Sequence, residues 1–204
     1  DGLGRIVKQN NADETSRSYT YDANGNVLSI TDERGNATAY TYDAMNRLLS
    51  VTDPEGGVIA YTYTADGLLA TETDQKGSVT AYGYDGNHNI TSITDGRGNT
   101  SSMSYDALNR LTALTDAEGG TTSYSYDEVG NLTSITTQNG GVYTSTYDET
   151  DNETSVTDAL GHTESYTYDE NGNCTSVTDR RGNTTTYEYD KNNRLTKITD
   201  ALGG

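Results

Sequence analysis

The sequence repeats with a period of 21 residues, and the strictest marker of that period is a tyrosine. The nine marker tyrosines are Tyr21, Tyr42, Tyr63, Tyr84, Tyr105, Tyr126, Tyr147, Tyr168 and Tyr189. A fixed short period indicates one small supersecondary unit stacked many times, which leaves few unique residues for chemistry. We therefore expect a single repeat array over residues 1–204, with about nine repeats and partial ends, cut from a longer repeat protein.

The composition would by itself suggest disorder, because hydrophobicity is low and the net charge is -18. The regular spacing of tyrosines and aliphatic residues argues against disorder, since each tyrosine can bury roughly 150–250 Å². The negative charge repels nucleic acid and anionic membrane surfaces. No apolar run approaches the ~20 residues that span a bilayer, so we expect no membrane insertion by this segment.

Each repeat contains two short β-prone runs and two turn signals. In the unit over residues 36–56 the runs are Thr38–Tyr42 and Leu48–Thr52. An aspartate opens each turn because its carboxylate accepts backbone N–H bonds, and glycine or asparagine closes it because a positive φ is needed there. The predicted turn residues include Asp32, Gly35, Asp53, Gly56, Asp158, Gly161, Asp179 and Gly182.

Loops this short join antiparallel neighbours, because a parallel crossover needs a dozen or more residues. The sequence therefore predicts an all-β fold, an antiparallel β-meander with two strands in each 21-residue repeat; a parallel β-helix is the less favoured alternative. Open twisted sheets rarely exceed ~10 strands without curling, so we expect about nineteen strands to curl into a spiral shell or tube. The marker tyrosines should form a ladder on one face.

Two features do not fit a simple alternation. In the second strand the apolar residues are three apart, as in Leu48 and Val51, which would point them to opposite faces. Either a bulge redirects one of them or both faces are partly covered, and we favour covering of both faces.

The stretch from Thr136 to Glu153 is the least regular: it could be a corner, a ligand notch or drift without consequence, and drift is favoured. Ser145 there replaces a tyrosine.

The pattern Tyr-x-Tyr-Asp-x-x-Gly/Asn-Asn/Arg-Leu-x-x-Ile/Val-Thr-Asp-x-x-Gly-Asn resembles the RHS repeat, also called the YD repeat. It is almost complete in the units that begin at Tyr40, Tyr124, Tyr166 and Tyr187. The resemblance implies a β-sheet that spirals into a hollow shell. In bacterial polymorphic toxins and insecticidal toxin complexes of this family the shell encloses a cytotoxic C-terminal domain, and teneurins carry a similar shell. YD repeats have also been linked to carbohydrate binding.

We therefore expect a non-catalytic structural scaffold of a large secreted or cell-surface protein. It would form a β-shell or stalk that encapsulates or presents a toxin-like C-terminal domain, with the flanking repeats and that domain as partners. The alternative is an adhesion module that binds carbohydrate or a cell-surface partner. Open strand edges also predict possible self-association.

Candidate catalytic and metal-binding residues are each explained more simply by the repeat. His88 and His162 occupy turn positions without a second ligand at metal-binding spacing, and Cys174 stands where other repeats place an aliphatic residue. Structural calcium at loops such as that following Asp22 is the weaker alternative to ordinary turn chemistry. No catalytic, cofactor-binding or metal-binding residue is assigned, and we expect no enzyme and no cofactor.

Overall fold

The structure is a computed structural model that describes all of residues 1–204 as a nineteen-stranded antiparallel β-sheet. The strands are β1 Lys8–Asn10, β2 Ser16–Tyr21, β3 Val27–Thr31, β4 Ala37–Tyr42, β5 Leu48–Thr52, β6 Val58–Tyr63, β7 Leu69–Thr73, β8 Val79–Tyr84, β9 Ile90–Thr94, β10 Thr100–Tyr105, β11 Leu111–Thr115, β12 Thr121–Tyr126, β13 Leu132–Thr136, β14 Val142–Tyr147, β15 Glu153–Thr157, β16 Thr163–Tyr168, β17 Cys174–Thr178, β18 Thr184–Tyr189 and β19 Leu195–Thr199. No helix long and apolar enough to cross a membrane is present.

The chain divides into two compact units, residues 1–101 and residues 102–204. Within each unit consecutive strands pair antiparallel, which is the connectivity of a meander. Six-residue and five-residue strands alternate along the chain, apart from the three-residue β1. The predicted all-β antiparallel meander with two strands in each repeat is therefore confirmed.

The two kinds of strand pair differ in length. A six-residue strand shares four paired positions with the strand that follows it, as in β4 with β5. The same five-residue strand shares only three with the next, as in β5 with β6, where pairing runs from Ser50 opposite Ala60 to Thr52 opposite Val58. Strands β5 and β6 are therefore unpaired at the end where Leu48 and Tyr63 lie, and this end recurs in every repeat.

A bulge in each longer ladder explains the three-residue spacing of the apolar residues. Tyr40 lies opposite Val51 and Tyr42 lies opposite Leu48, and the register shifts between those two pairs. Leu49 is the extra residue and is 36% exposed. Directly opposed residues share a face, so Leu48 and Val51 both lie on the tyrosine side. The favoured explanation, partial covering of both faces, was wrong, and the bulge is the cause.

The turn after β4 and the turns at the opposite end of the sheet share one geometry, a three-residue hairpin loop whose last residue has a positive φ. In the turn after β4 the Asp43 N–H donates to the Arg47 carbonyl at 2.9 Å, and the Asn46 N–H donates to the Asp43 carbonyl at 3.0 Å. Asn46 has φ 63°. At the opposite end of the sheet the corresponding residue is glycine; Gly35, Gly56, Gly161 and Gly182 have φ between 85° and 88°.

The structure contains no buried hydrophobic core, and no large side chain is fully buried. Tyr40, Tyr42, Leu48 and Val51 are half-buried, each lying against neighbours on the same face. Stabilisation must therefore come from contacts between adjacent strands, which is the energetic character of a repeat protein.

Candidate functional site

The most regular surface of the protein is the tyrosine face, which we define as the sheet face that carries the marker tyrosines and the tyrosines two residues before them. On this face a marker tyrosine lies opposite the first apolar residue of the next strand, as Tyr63 does with Leu69. The preceding tyrosine lies opposite the second apolar column, as Tyr82 does with Ile93. Each predicted ladder tyrosine thus holds the same position in its own hairpin, in every second strand.

The hydroxyl groups of marker tyrosines bridge the ends where the shorter ladders stop. The Tyr63 hydroxyl donates a 2.8 Å hydrogen bond to the carbonyl of Leu48, 15 residues earlier on the neighbouring strand. The same bond to the carbonyl 15 residues earlier, at 2.7–3.0 Å, is made by Tyr21, Tyr63, Tyr84, Tyr126, Tyr147, Tyr168 and Tyr189. A backbone acceptor that the sheet does not pair is thereby satisfied by a side chain.

Several marker tyrosines also carry a stacked arginine. The Arg47 guanidinium lies 4.5 Å from the ring centre of Tyr63 and forms a 2.7 Å ion pair with Asp43. Arg110 lies 4.7 Å from the ring centre of Tyr126. Such contacts add cation–π attraction to the apolar packing of the ring. These arginines were not predicted as structural residues, although each one directly follows the closing residue of a turn.

The turn aspartates act as ionised hydrogen-bond acceptors. Oδ1 of Asp106 accepts the backbone N–H groups of Leu108 at 2.8 Å and Arg110 at 3.0 Å, and its Oδ2 accepts Nε of Arg110 at 2.7 Å. These bonds lower the pKa of Asp106. At Asp148 the side chains of Asn152 and Thr150 and the backbone N–H of Asn152 lower the pKa to about 2.

The predicted turn residues occupy the same roles at the other end of the sheet. Asp32, Asp53, Asp158 and Asp179 each accept the N–H groups two and four residues later through Oδ1, at 2.7–3.0 Å. These carboxylates stabilise the loops that they open.

The loop weighed as a calcium site is built as a turn. Asp22 accepts N–H groups from Asn24 and Asn26, and the Asn26 side-chain amide donates to its second oxygen. The groups that reach this carboxylate are hydrogen-bond donors, whereas calcium needs oxygen ligands. No group of three or more His, Cys, Asp or Glu side chains is arranged to hold a metal ion.

The two histidines and the cysteine take ordinary positions of the repeat. His88 closes a turn with φ 69°, and His162 Nδ1 lies 3.2 Å from Asp158. Cys174 begins β17, and its carbonyl accepts the Tyr189 hydroxyl at 2.9 Å.

Two adjoining hollows lie beside the irregular stretch between Thr136 and Glu153, both within residues 102–204. The smaller has a volume of about 200 Å³ and is lined by Leu132, Ser134, Ile135, Tyr143, Ser145 and Val156. The larger has a volume of about 480 Å³ and is lined by Leu114, Asp116, Gly120, Thr122, Thr137, Gln138, Asn139 and Tyr143. The two hollows share Tyr143, so they meet at one aromatic side chain.

Tyr143 was not singled out in the sequence, although a signal was present. It is the one tyrosine outside the two tyrosine columns, and it lies two residues before Ser145, where the repeat normally places a tyrosine. Its side chain is 41% exposed. Thr137 takes the place of the usual turn aspartate nearby and accepts the Gly141 N–H at 3.1 Å. The altered residues therefore lie at one place on the surface.

Comparison with known proteins is consistent with the repeat. A family model described as RHS Repeat matches residues 1–36, 21–58, 63–100, 105–142, 126–163, 147–184 and 168–204. No curated protein sequence matches the chain.

Solved structures of toxin complexes share the fold. The crystal structure of TcdB2-TccC3-Cdc42 aligns with a TM-score of 0.57 and 16% identity over 91% of this chain and 13% of that chain. The Tc holotoxin pore of Photorhabdus luminescens, carrying the mutation TccC3-D651A, aligns with a TM-score of 0.55 and 17% identity over 97% of this chain and 15% of that chain. At these identities the likeness concerns the fold alone.

We expect Tyr84→Phe to lower the free energy of unfolding by about 1 kcal/mol, because it removes the hydroxyl that donates to the Leu69 carbonyl at 2.9 Å. The matched control is Tyr82→Phe in the same strand and on the same face, where the hydroxyl makes no hydrogen bond with the protein. Urea unfolding followed by circular dichroism measures both. Equal losses in the two variants would contradict a bridging role for the marker hydroxyl.

We expect stability to fall at both extremes of pH. The pKa of Asp148 is lowered from 3.8 to about 2, so its contribution is present above pH 3.8 and is lost as pH falls toward 2. A hydrogen bond to Glu164 and burial raise the pKa of Tyr166 from 10.0 to about 12, so its contribution is present below pH 10 and is lost as pH rises toward 12. Urea midpoints measured across this range test both limbs. A midpoint unchanged at pH 2 would contradict the role given to the turn carboxylates.

Proposed function

Because the chain belongs to the RHS repeat family, we propose that it is a non-catalytic scaffold, a section of wall in a large secreted or cell-surface protein. In this proposal the wall forms a β-shell or stalk that encloses or presents a toxin-like C-terminal domain. The observation that carries the proposal is the repeated use of the same polar groups to hold one strand to the next.

The marker tyrosines and turn aspartates illustrate that use. The Tyr126 hydroxyl bonds to the Leu111 carbonyl on the neighbouring strand, and the Asp127 carboxylate accepts three backbone N–H groups of its own turn. Residues of the types that enzymes use for acid–base chemistry are thus engaged in structure. The proposal of a non-catalytic chain rests on this engagement and on the structural character of the family.

The toxin complexes support the role of an enclosing wall. The proteins that share the fold are components of TcdB2-TccC3 complexes and of a Tc holotoxin pore. The chain spans 13–15% of the length of those chains, so we propose that it supplies several turns of a longer wall. On the basis of the same comparison, the proposal includes a secreted or cell-surface location and an enclosed domain.

Flanking repeats are the first partners in this proposal. In the last strand, Leu195 is 48% exposed and Ile198 is 53% exposed, whereas Leu48 and Val51 at the same repeat positions are half-buried. A following repeat would cover these two residues by continuing the meander. In the isolated chain the same edge could pair with a second copy, which is the self-association predicted from the sequence.

We expect removal of terminal repeats to lower stability in steps. Shortening the chain to residues 1–183 and then to 1–162 removes one and two 21-residue units, and each step should reduce the urea midpoint and the m-value because fewer neighbouring interfaces remain. Removal of residues 1–21 from the other end is the control of equal length. Complete unfolding on loss of a single terminal unit would count against an additive scaffold.

A second candidate function is an adhesion module for a glycan or another cell-surface partner. The two hollows favour it, because they place the exposed ring of Tyr143 beside polar side chains. A glycan-array screen of the chain and of Tyr143→Ala tests the glycan form. Binding that disappears in the variant would support that form, and signals at background for the unaltered chain would exclude it.

A further inference from the structure

The smaller hollow is a gap in the inner tyrosine column. Tyr124 lies opposite Ile135 and Tyr166 lies opposite Val177 in their own hairpins. Ser145 lies opposite Val156 in the same register, in the hairpin between them. The backbone and the aliphatic partner that normally receive a ring are therefore present at Ser145, but the ring is missing.

The surroundings of this gap suit an aromatic ring. Leu132, Ile135 and Val156 supply aliphatic surface, and the hollow measures about 200 Å³. For scale, an apolar protein cavity of about 150 Å³ binds benzene. Met103, the other replacement in this column, is a long side chain that can fill the same space, whereas serine cannot.

The carboxylate of Asp116 lines the adjoining hollow. Its Oδ1 accepts the N–H groups of Glu118 at 3.1 Å and Gly120 at 2.7 Å. Its Oδ2 lies beside the side-chain amide of Gln138, as Oδ2 of Asp53 lies beside that of Gln75 in the equivalent turn. Together with the net charge of -18, this carboxylate favours a cationic group over an anionic one.

We propose that the two hollows bind a polypeptide segment with an aromatic side chain close to a basic residue. The ring enters the gap at Ser145, and the basic group lies against Tyr143 and the carboxylate of Asp116. An extended peptide presents alternate residues on one side about 6.6–7 Å apart, which sets the spacing between the ring and the basic group in a short probe. Buried aromatic anchors and arginines are the residues that dominate binding energy at protein interfaces.

This proposal rests on the second candidate function and names the chemistry of its partner. It does not depend on the additive scaffold, which the shortened chains test separately. It also specifies a protein partner, because the gap matches a side chain that the repeat itself carries in neighbouring strands.

The test uses the full chain and the peptide acetyl-Lys-Gly-Phe-Gly-Lys-amide, with saturation-transfer NMR to detect the ring and a titration to obtain the affinity. The chain contains no phenylalanine, so the peptide ring is chemically distinct. We expect the strongest saturation on the ring protons. Ser145→Tyr restores the residue usual in the repeat, fills the gap and should weaken binding by more than about tenfold. Thr144→Tyr places the same side chain on the opposite face and should leave binding unchanged.

The basic group is tested by a second pair of variants. Asp116→Asn should weaken binding of the lysine peptide by about threefold, the size expected for a partly exposed ion pair, and should not affect a peptide with glycine in place of both lysines. Asp74→Asn is the matched control, because Oδ1 of Asp74 accepts backbone N–H groups in the same way but lies in another turn.

Four results would overturn the proposal: no peptide binding to the unaltered chain, equal binding to Ser145→Tyr, equal binding of a peptide with alanine in place of phenylalanine, or competition by methyl glucoside, which would make the hollow a sugar site. Self-association that is lost in Ser145→Tyr but retained in Thr144→Tyr, measured by sedimentation velocity, would identify a second copy as the occupant instead.

Discussion

The hydrogen bond from a marker tyrosine to the carbonyl 15 residues earlier is the interaction on which the sheet most depends. Each shorter ladder pairs only three positions, so a backbone acceptor at its end would otherwise need water. The phenol supplies a donor while its ring covers aliphatic residues on the same face. A tyrosine therefore both satisfies a backbone carbonyl and covers aliphatic side chains. This explains why the period is marked by tyrosine when the chain has no phenylalanine or tryptophan.

The bulge and the aspartate turn make this interaction repeatable. The bulge brings Leu48 and Val51 to the same face in spite of their three-residue spacing, so this strand presents two apolar residues to two tyrosines. The aspartate then closes the hairpin with bonds to its own backbone. Since no core is buried, uniform local bonding takes the place of the long-range packing that stabilises a globular domain.

Departures from such a uniform pattern are informative because the rest of the array shows what each position normally does. Ser145, Tyr143 and Thr137 differ from their counterparts, and all three line hollows within residues 102–204. Drift was the favoured explanation of this stretch in the sequence. The hollows show which side chains line the surface beside this stretch, so a binding role can be tested there.

The sequence alone determined the repeat, the strands, the turns and the antiparallel meander, because these depend on local spacing and on the φ preferences of glycine and asparagine. It also indicated that His88, His162 and Cys174 occupy repeat positions. Only the tertiary structure decided the bulge, the carbonyl acceptors of the tyrosines and the stacking of Arg47 on Tyr63. These depend on register between strands, and a periodic sequence allows more than one register until the chain is paired.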